Sequence, residues 1–321
     1  MTEPLHRRVL VTGSHGFLGK AVCEQLLKLG DVQVWTPSSK DFNLTDGSAV
    51  ERCFRWAQPQ IVVHLACPYG GGGIGYANAH PAELASGMVL MDSLLIRAAH
   101  QWKVRTFLGV GSVCAYPQEV TFPTGEDQLW SGHPEPINAP YGLAKRMQLT
   151  LLQAARKEWG LNGIHLILAN LYGPGDRFGT GLVGHIIPST IVKMAEAIKE
   201  GVESVTAWGD GTPTREFCYI EDAARAIAMA VEYEGRDFKE PGAPVNVVSG
   251  QEVEIRDVVE RIAELLGYRG FVRWDPSKPN GQQRRWFSNA RSRTELNWSP
   301  RVPFAEGLQR TVAWYKEHKC V

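Results

Sequence analysis

Tyr141 and Lys145 stand four residues apart in P-Y-G-L-A-K (140–145), a spacing that puts both on one face of a helix. A phenol is a weak acid at neutral pH. An ammonium one turn away stabilises its anion, so the pair can protonate a carbonyl oxygen as hydride reaches the carbon. Ser112, in G-V-G-S-V-C-A-Y-P (109–117), can hydrogen-bond the same oxygen. Two places on stands Cys114. A free cysteine is most often core packing, yet a thiol beside an activated ketone can also take a proton from the neighbouring carbon.

These residues need a scaffold, and the N-terminal half supplies its pattern. R-V-L-V-T (8–12) is a short apolar run, G-S-H-G-F-L-G (13–19) follows, and Phe17, Leu18, Val22, Leu26 and Leu29 then recur at helical spacing. This reads as strand, glycine turn and helix. Gly13, Gly16 and Gly19 let the backbone turn tightly and approach a pyrophosphate at the positive end of the helix. A second strand at 32–35 runs into T-P-S-S-K-D. An acid there would receive a ribose 2′-hydroxyl, whereas Ser39 and Lys40 suit a 2′-phosphate, so the expected cofactor is NADP (as NADPH). Further strands over 61–66, 104–110 and 164–168 alternate with helices over 82–101 and about 141–159. The fold class is therefore α/β, a Rossmann-type doubly wound parallel sheet.

After Asn170 the chain turns glycine-rich, L-Y-G-P-G-D-R-F-G-T-G-L-V-G. A strand near Val205, a helix from about Glu221, a strand at 245–248 and a helix over 253–266 follow. The expected organisation is an NADP-binding domain over 1–170, with returning segments near 215–248. Residues 171–214 and 249–321 would form a smaller C-terminal substrate lobe.

Lys plus Arg and Asp plus Glu both number 34, which argues against a nucleic-acid or membrane-surface binder. No window reaches the ~18 apolar residues of a membrane span, and the N-terminus does not read as a signal peptide. Six cysteines are scattered without a C-x-x-C pair, so neither a metal site nor a disulfide framework is expected and the reading is a reduced, cytoplasmic protein.

The combination of glycine turn, serine, tyrosine and lysine resembles the extended short-chain dehydrogenases/reductases. More narrowly, the chain resembles the GDP-L-fucose synthase family, the GDP-4-keto-6-deoxy-mannose epimerase-reductases. The likeness spans nearly the whole chain through V-T-G-S-H-G-F-L-G, H-L-A, G-S-V-C-A-Y-P, P-Y-G-L-A-K-R, N-L-Y-G-P-G-D, G-H-I-I-P, W-G-D-G-T-P-T-R-E-F and S-K-P-N-G. The resemblance implies that Cys114 and His185 exchange protons at carbons 3 and 5 of a 4-keto sugar. Ser112, Tyr141 and Lys145 would then serve reduction of carbon 4. It places His15, Phe17, Leu18, Leu65, Ala66, Asn170 and His185 along the cofactor. Ser112, Asn170, Lys193, Trp208, Arg215 and Lys278 would lie along a nucleotide-diphosphate sugar, with Arg215 and Lys278 on the diphosphate. It also implies a homodimer through helices 82–101 and 141–159. The absence of an Asp-Glu pair after Ser112 argues against dehydration. Departures at Arg177, Lys193, 68–75 and 179–184 fall where sugar and phosphate should sit. They keep a reductase or epimerase for another keto sugar, a heptose or antibiotic precursor, as the alternative.

Overall fold

Strand β1 (Arg7–Thr12) buries Val9, Leu10 and Val11 completely, as a strand covered on both faces must. The computed structural model describes residues 6–68, 73–179, 185–233, 238–278 and 280–319. β1 lies in a six-stranded sheet with β2 (Val32–Trp35), β3 (Ile61–His64), β4 (Thr106–Ser112), β5 (Asn162–Leu168) and β9 (Val245–Val247). The order is β2-β1-β3-β4-β5-β9, and every pairing is parallel. The chain leaves β1 for β2 on one side and returns to β3 on the other. This reversal opens a crevice above the carboxyl ends of the strands, where doubly wound folds bind ligands.

One face of the sheet carries α1 (Phe17–Leu27) and α7 (Ile220–Glu232), whose Val22, Leu26, Ala223 and Ile227 pack with Val63 and Leu166. The other carries α2 (Gly47–Ala57) and α4 (Pro81–Gln101), preceded by the short α3 (Gly73–Ala79), and α5 (Ala139–Trp159). There Phe54, Leu95 and Leu152 pack with Leu10 and Phe107. Gly160, left-handed at φ 69°, ends α5, as glycine commonly does just past a helix.

A second body of structure follows β5. β6 (Asn170–Tyr172), β8 (Thr214–Tyr219) and β10 (Glu252–Glu254) form a sheet in the order β10-β8-β6. β7 (Ser204–Trp208) pairs in parallel with β11 (Phe271–Asp275). The helices α6 (Ile186–Glu200), α8 (Ile255–Leu266) and α10 (Phe304–Lys319) share a core of Ile191, Phe217, Val258, Ile262 and Leu308 with them. α9 (Ala290–Leu296) completes the set. Two segments thus return to the main sheet, α7 against it and β9 beside β5.

Several boundaries differ from the sequence reading. The 61–66 strand stops at His64, and the 104–110 strand sits at 106–112, so that Ser112 closes it. The 253–266 helix starts at Ile255 because 252–254 pairs as a strand with β8. The glycine-rich run after Asn170 contains a strand, β6, and its residues 180–184 lie outside the described residues, as do 69–72 of P-Y-G-G-G-G-I-G. Among the described residues no helix is long and apolar enough to cross a membrane.

Candidate active site

The crevice begins at the glycine turn. Gly13 has φ 70°, and a Cβ there would lie 2.7 Å from the Ala66 nitrogen. At Gly19 a Cβ would lie 2.1 Å from the Gly13 carbonyl, so α1 can press onto the turn only with hydrogen at that position. Helix α1 has no side-chain cap and no acid in its first turn. Its free N–H groups therefore face the crevice unscreened, the arrangement that receives a phosphate. His15 is exposed beside the turn, and its Nδ1 lies 3.1 Å from Ser14 Oγ. Beyond β2, Ser39 and Lys40 are exposed, and the Lys40 N–H donates to Ser38 Oγ at 3.1 Å. Phe17 and Leu18 open α1, and Leu65 and Ala66 follow β3 against Gly13. The residues present fit a dinucleotide with a 2′-phosphate.

The reacting groups gather at the end of β4. Ser112 closes the strand, and its Oγ accepts the Cys114 N–H at 3.2 Å, capping a single 3₁₀ turn over Val113–Ala115. Helix α5 begins against that turn. A Cβ on Gly142 would lie 2.6 Å from the Cys114 carbonyl oxygen, so this glycine allows the close approach that brings Tyr141 to Ser112. Burial pushes the Tyr141 phenol well up, the charges of Cys67 and Cys114 add to this, and a hydrogen bond with Ser112 opposes it. The phenol is therefore held protonated, as a proton donor must be. Lys145 Nζ lies 5.9 Å from the Tyr141 ring centroid and donates to the Val110 carbonyl at 2.7 Å. Behind it, burial and then the Lys145 charge push the His165 imidazole down to about 3, so His165 stays neutral. Gly111 leaves room for that ring, since a Cβ there would lie 2.4 Å from His165 Nε2.

Cys114 also meets a cation that sequence reasoning did not single out. Arg285 Nη1 donates to Cys114 Sγ at 3.6 Å, and its Nη2 is paired with Glu135 Oε2 at 2.8 Å. Arg215 stands close by, donating to the carbonyls of Thr214 at 2.7 Å and Gln282 at 2.6 Å. Burial, followed by the positive charge of Arg285, pushes the Arg215 guanidinium down to about 10. Two half-buried like charges relieved only in part by Glu135 form a natural anion site. Lys278 is exposed, with Nζ 6.0 Å from the ring centroid of Trp208, itself 64% exposed. Asn170 opens β6 and donates to the Glu216 carbonyl at 2.9 Å. His185 is exposed at the N-cap of α6. Burial raises the Asp176 carboxyl, and the Arg177 backbone N–H, then the charges of His185 and Arg177, counter that rise. Lys193 lies half-buried within α6. Among the described residues no cluster of His, Cys, Asp or Glu is placed to hold a metal ion. The signal for Arg285 was R-R-W-F after S-K-P-N-G, two adjacent arginines whose contacts lie far off in sequence.

A glycine turn at the switch point and a serine, tyrosine and lysine at the end of the fourth strand define a nucleotide-dependent dehydrogenase of the short-chain type. The chain belongs to the NAD dependent epimerase/dehydratase family, which it matches over residues 9–246. It is 34% identical over 313 residues to a probable GDP-L-fucose synthase 1 of Oryza sativa subsp. japonica, covering 97% of this chain and 92% of that one. It is 32% identical over 317 residues to the GDP-L-fucose synthase of Escherichia coli (strain K12), covering 98% of each. Among solved structures, a GDP-L-fucose synthetase from Naegleria fowleri bound to NADP superposes with a TM-score of 0.83 at 27% identity, covering 100% of this chain and 97% of that one.

Proposed function

We propose that this chain is an NADPH-dependent GDP-sugar epimerase-reductase, converting a GDP-4-keto-6-deoxy-mannose-like substrate to GDP-L-fucose or a closely related GDP-sugar. The observation that carries this reading is the meeting of Ser112, Cys114, Tyr141 and Arg285 at the end of one strand. A ketone reductase needs the serine and tyrosine; the thiol and its guanidinium add a proton-transfer function that simple reduction does not require. The Gly13–Gly19 turn with His15 would hold NADPH, Ser39 and Lys40 would take its 2′-phosphate, and the bound cofactor would supply the hydride.

In the reaction proposed, Arg215 and Arg285 hold the diphosphate side of the substrate. Ser112 and Tyr141 hydrogen-bond the carbon 4 oxygen. That polarisation acidifies the protons at carbons 3 and 5, because the carbanion left behind delocalises onto the oxygen as an enolate. Cys114 and His185 remove a proton from one face and return one to the other, inverting each carbon. Tyr141 then gives its phenolic proton to the carbon 4 oxygen as hydride arrives, and Lys145 steadies the phenolate.

Residues 1–170 would hold the cofactor and the segments after 170 the sugar nucleotide, with α7 and β9 returning to the first unit. The outward Leu90, Leu143 and Met147, each 39–46% exposed, support a homodimer through α4 and α5, which pack side by side. Among the described residues Cys23, Cys53, Cys114 and Cys218 form no disulfide, which supports a reduced, cytoplasmic setting. The test is NADPH consumption with GDP-4-keto-6-deoxy-mannose. The wild type turns over, and Tyr141→Phe loses about 10²–10⁴-fold, the usual share of a general acid. Turnover undiminished in Tyr141→Phe would reject the assignment. Turnover only with another 4-keto GDP-sugar would move the substrate to that sugar.

A further inference from the structure

Beneath the catalytic face, buried polar side chains from four elements form one chain of hydrogen bonds. Thr12 ends β1, His64 ends β3, Asp92 lies within α4 and Gln148 lies within α5, and none is more than 3% exposed. Thr12 Oγ1 lies 2.7 Å from His64 Nδ1, and His64 Nε2 lies 2.9 Å from Asp92 Oδ1. Gln148 Nε2 donates to the same carboxylate oxygen at 2.6 Å.

The direction of the protons follows from counting donors. Thr12 Oγ1 also accepts the Leu65 N–H at 3.2 Å and the Ala66 N–H at 3.3 Å. Both of its lone pairs are engaged, so its own proton points at His64 Nδ1. Nδ1 is then an acceptor, and the imidazole carries its proton on Nε2, facing the carboxylate.

Each end of this chain touches something functional. Leu65 and Ala66 form the wall against which Gly13 turns. Gln148 stands one helical turn beyond Lys145. Its amide fits because β4 has glycine at 109, where a Cβ would lie 2.6 Å from Gln148 Oε1. We propose that Asp92 is a positioning residue: through His64 it fixes the wall of the cofactor turn, and through Gln148 it fixes the helix that carries Tyr141 and Lys145. The proton steps above do not use these groups; the inference rests on the proposed function only for its choice of NADPH as probe.

The experiment measures NADPH and GDP dissociation constants side by side. Asp92→Ala is expected to weaken NADPH by roughly 10–100-fold, the range seen when a residue that orients a binding group is lost, and to leave GDP binding unchanged. Asp92→Asn is expected to recover NADPH binding, because its carbonyl accepts the His64 proton and its amide can donate to Gln148 Oε1, which has no partner among the described residues. Met91→Ala removes a neighbouring buried side chain of α4 that packs in the apolar cluster, and should leave NADPH affinity unmoved. NADPH affinity unchanged in Asp92→Ala, equally weakened in Met91→Ala, or unrestored in Asp92→Asn would overturn the proposal. Should Asp92→Ala fail to fold, the ¹⁵N spectrum of histidine in the wild type decides. His64 should be the neutral Nε2–H tautomer, and an Nδ1–H or doubly protonated ring would overturn the assignment. A wild type that binds no NADPH would instead sink the functional reading and leave the tautomer test standing.

Discussion

Arg285 sits on the thiol of Cys114 with its other nitrogens held by Glu135 and Gln282, so its guanidinium is fixed before any substrate arrives. Its Nη1 donates to the sulfur at 3.6 Å, a charge-assisted contact on the group that exchanges protons in the proposed reaction. Arg285→Gln keeps a hydrogen-bond donor but loses the charge. Its effect on proton removal at carbons 3 and 5 should be a fall of roughly 10–150-fold, equivalent to the ~1.5–3 kcal/mol of a charge-assisted hydrogen bond. The check is the rate of solvent-proton exchange into the substrate. Exchange at the wild-type rate would show that Arg285 serves only the substrate phosphate. At this scale the sequence was partly legible. Ser112 and Cys114 meet through a turn of three residues, and Tyr141 and Lys145 through one helical turn, so their spacing carried the signal. Arg285 lies 171 residues from Cys114, and no local pattern records a contact that only the tertiary fold creates.

At the scale of elements, the parallel strands and their helices were legible because central strands are continuous apolar runs and glycine turns punctuate them. The elements after Asn170 were less so. β6 and β10 have three residues each, and β10 is half-buried throughout, which leaves little apolar alternation to read. A buried carboxyl ties β8 to the segments around 249–250 and 287. Glu216 of β8 is fully buried and accepts the N–H groups of Gly250 and Phe287 and the Ser249 hydroxyl. Burial raises it from an ordinary 4.5 to about 7, against those hydrogen bonds. The folded form thus binds a proton that the unfolded chain releases near 4.5. The stability from the neutral carboxyl is full below that pH and is lost as the pH rises through about 7. Glu216→Gln stays neutral throughout. Relative to wild type, the variant should therefore gain roughly 3 kcal/mol between about pH 5 and pH 8, read by denaturant unfolding at each pH. Parallel stability curves for the two proteins would show that Glu216 ionises freely in the fold.

At the scale of the whole molecule, the chain carries one cofactor crevice at the switch point of a parallel sheet and a second group of elements that brings Arg215 and Arg285 over it. Residues 9–246, from β1 through β9, match the NAD dependent epimerase/dehydratase family, whereas Arg285 lies beyond that span. Leu143 and Met147, one turn apart on α5, and Leu90 on α4 are exposed by 39–46%, on the two helices through which the family resemblance implies a dimer. Met147→Glu should convert a dimer to a monomer in sedimentation velocity, because a carboxylate inside an apolar helical interface has no partner; an unchanged sedimentation coefficient would place the interface elsewhere. The central claim, that the chain epimerises as well as reduces, is tested most directly by isotope. The protein is incubated with GDP-4-keto-6-deoxy-mannose in deuterated water without NADPH, and the sugar is read by NMR and mass. Deuterium at carbons 3 and 5 in the wild type, absent in Cys114→Ser, is the result predicted. No deuterium at either carbon, from a protein that still reduces the ketone when NADPH is added, would contradict the account and leave a simple reductase.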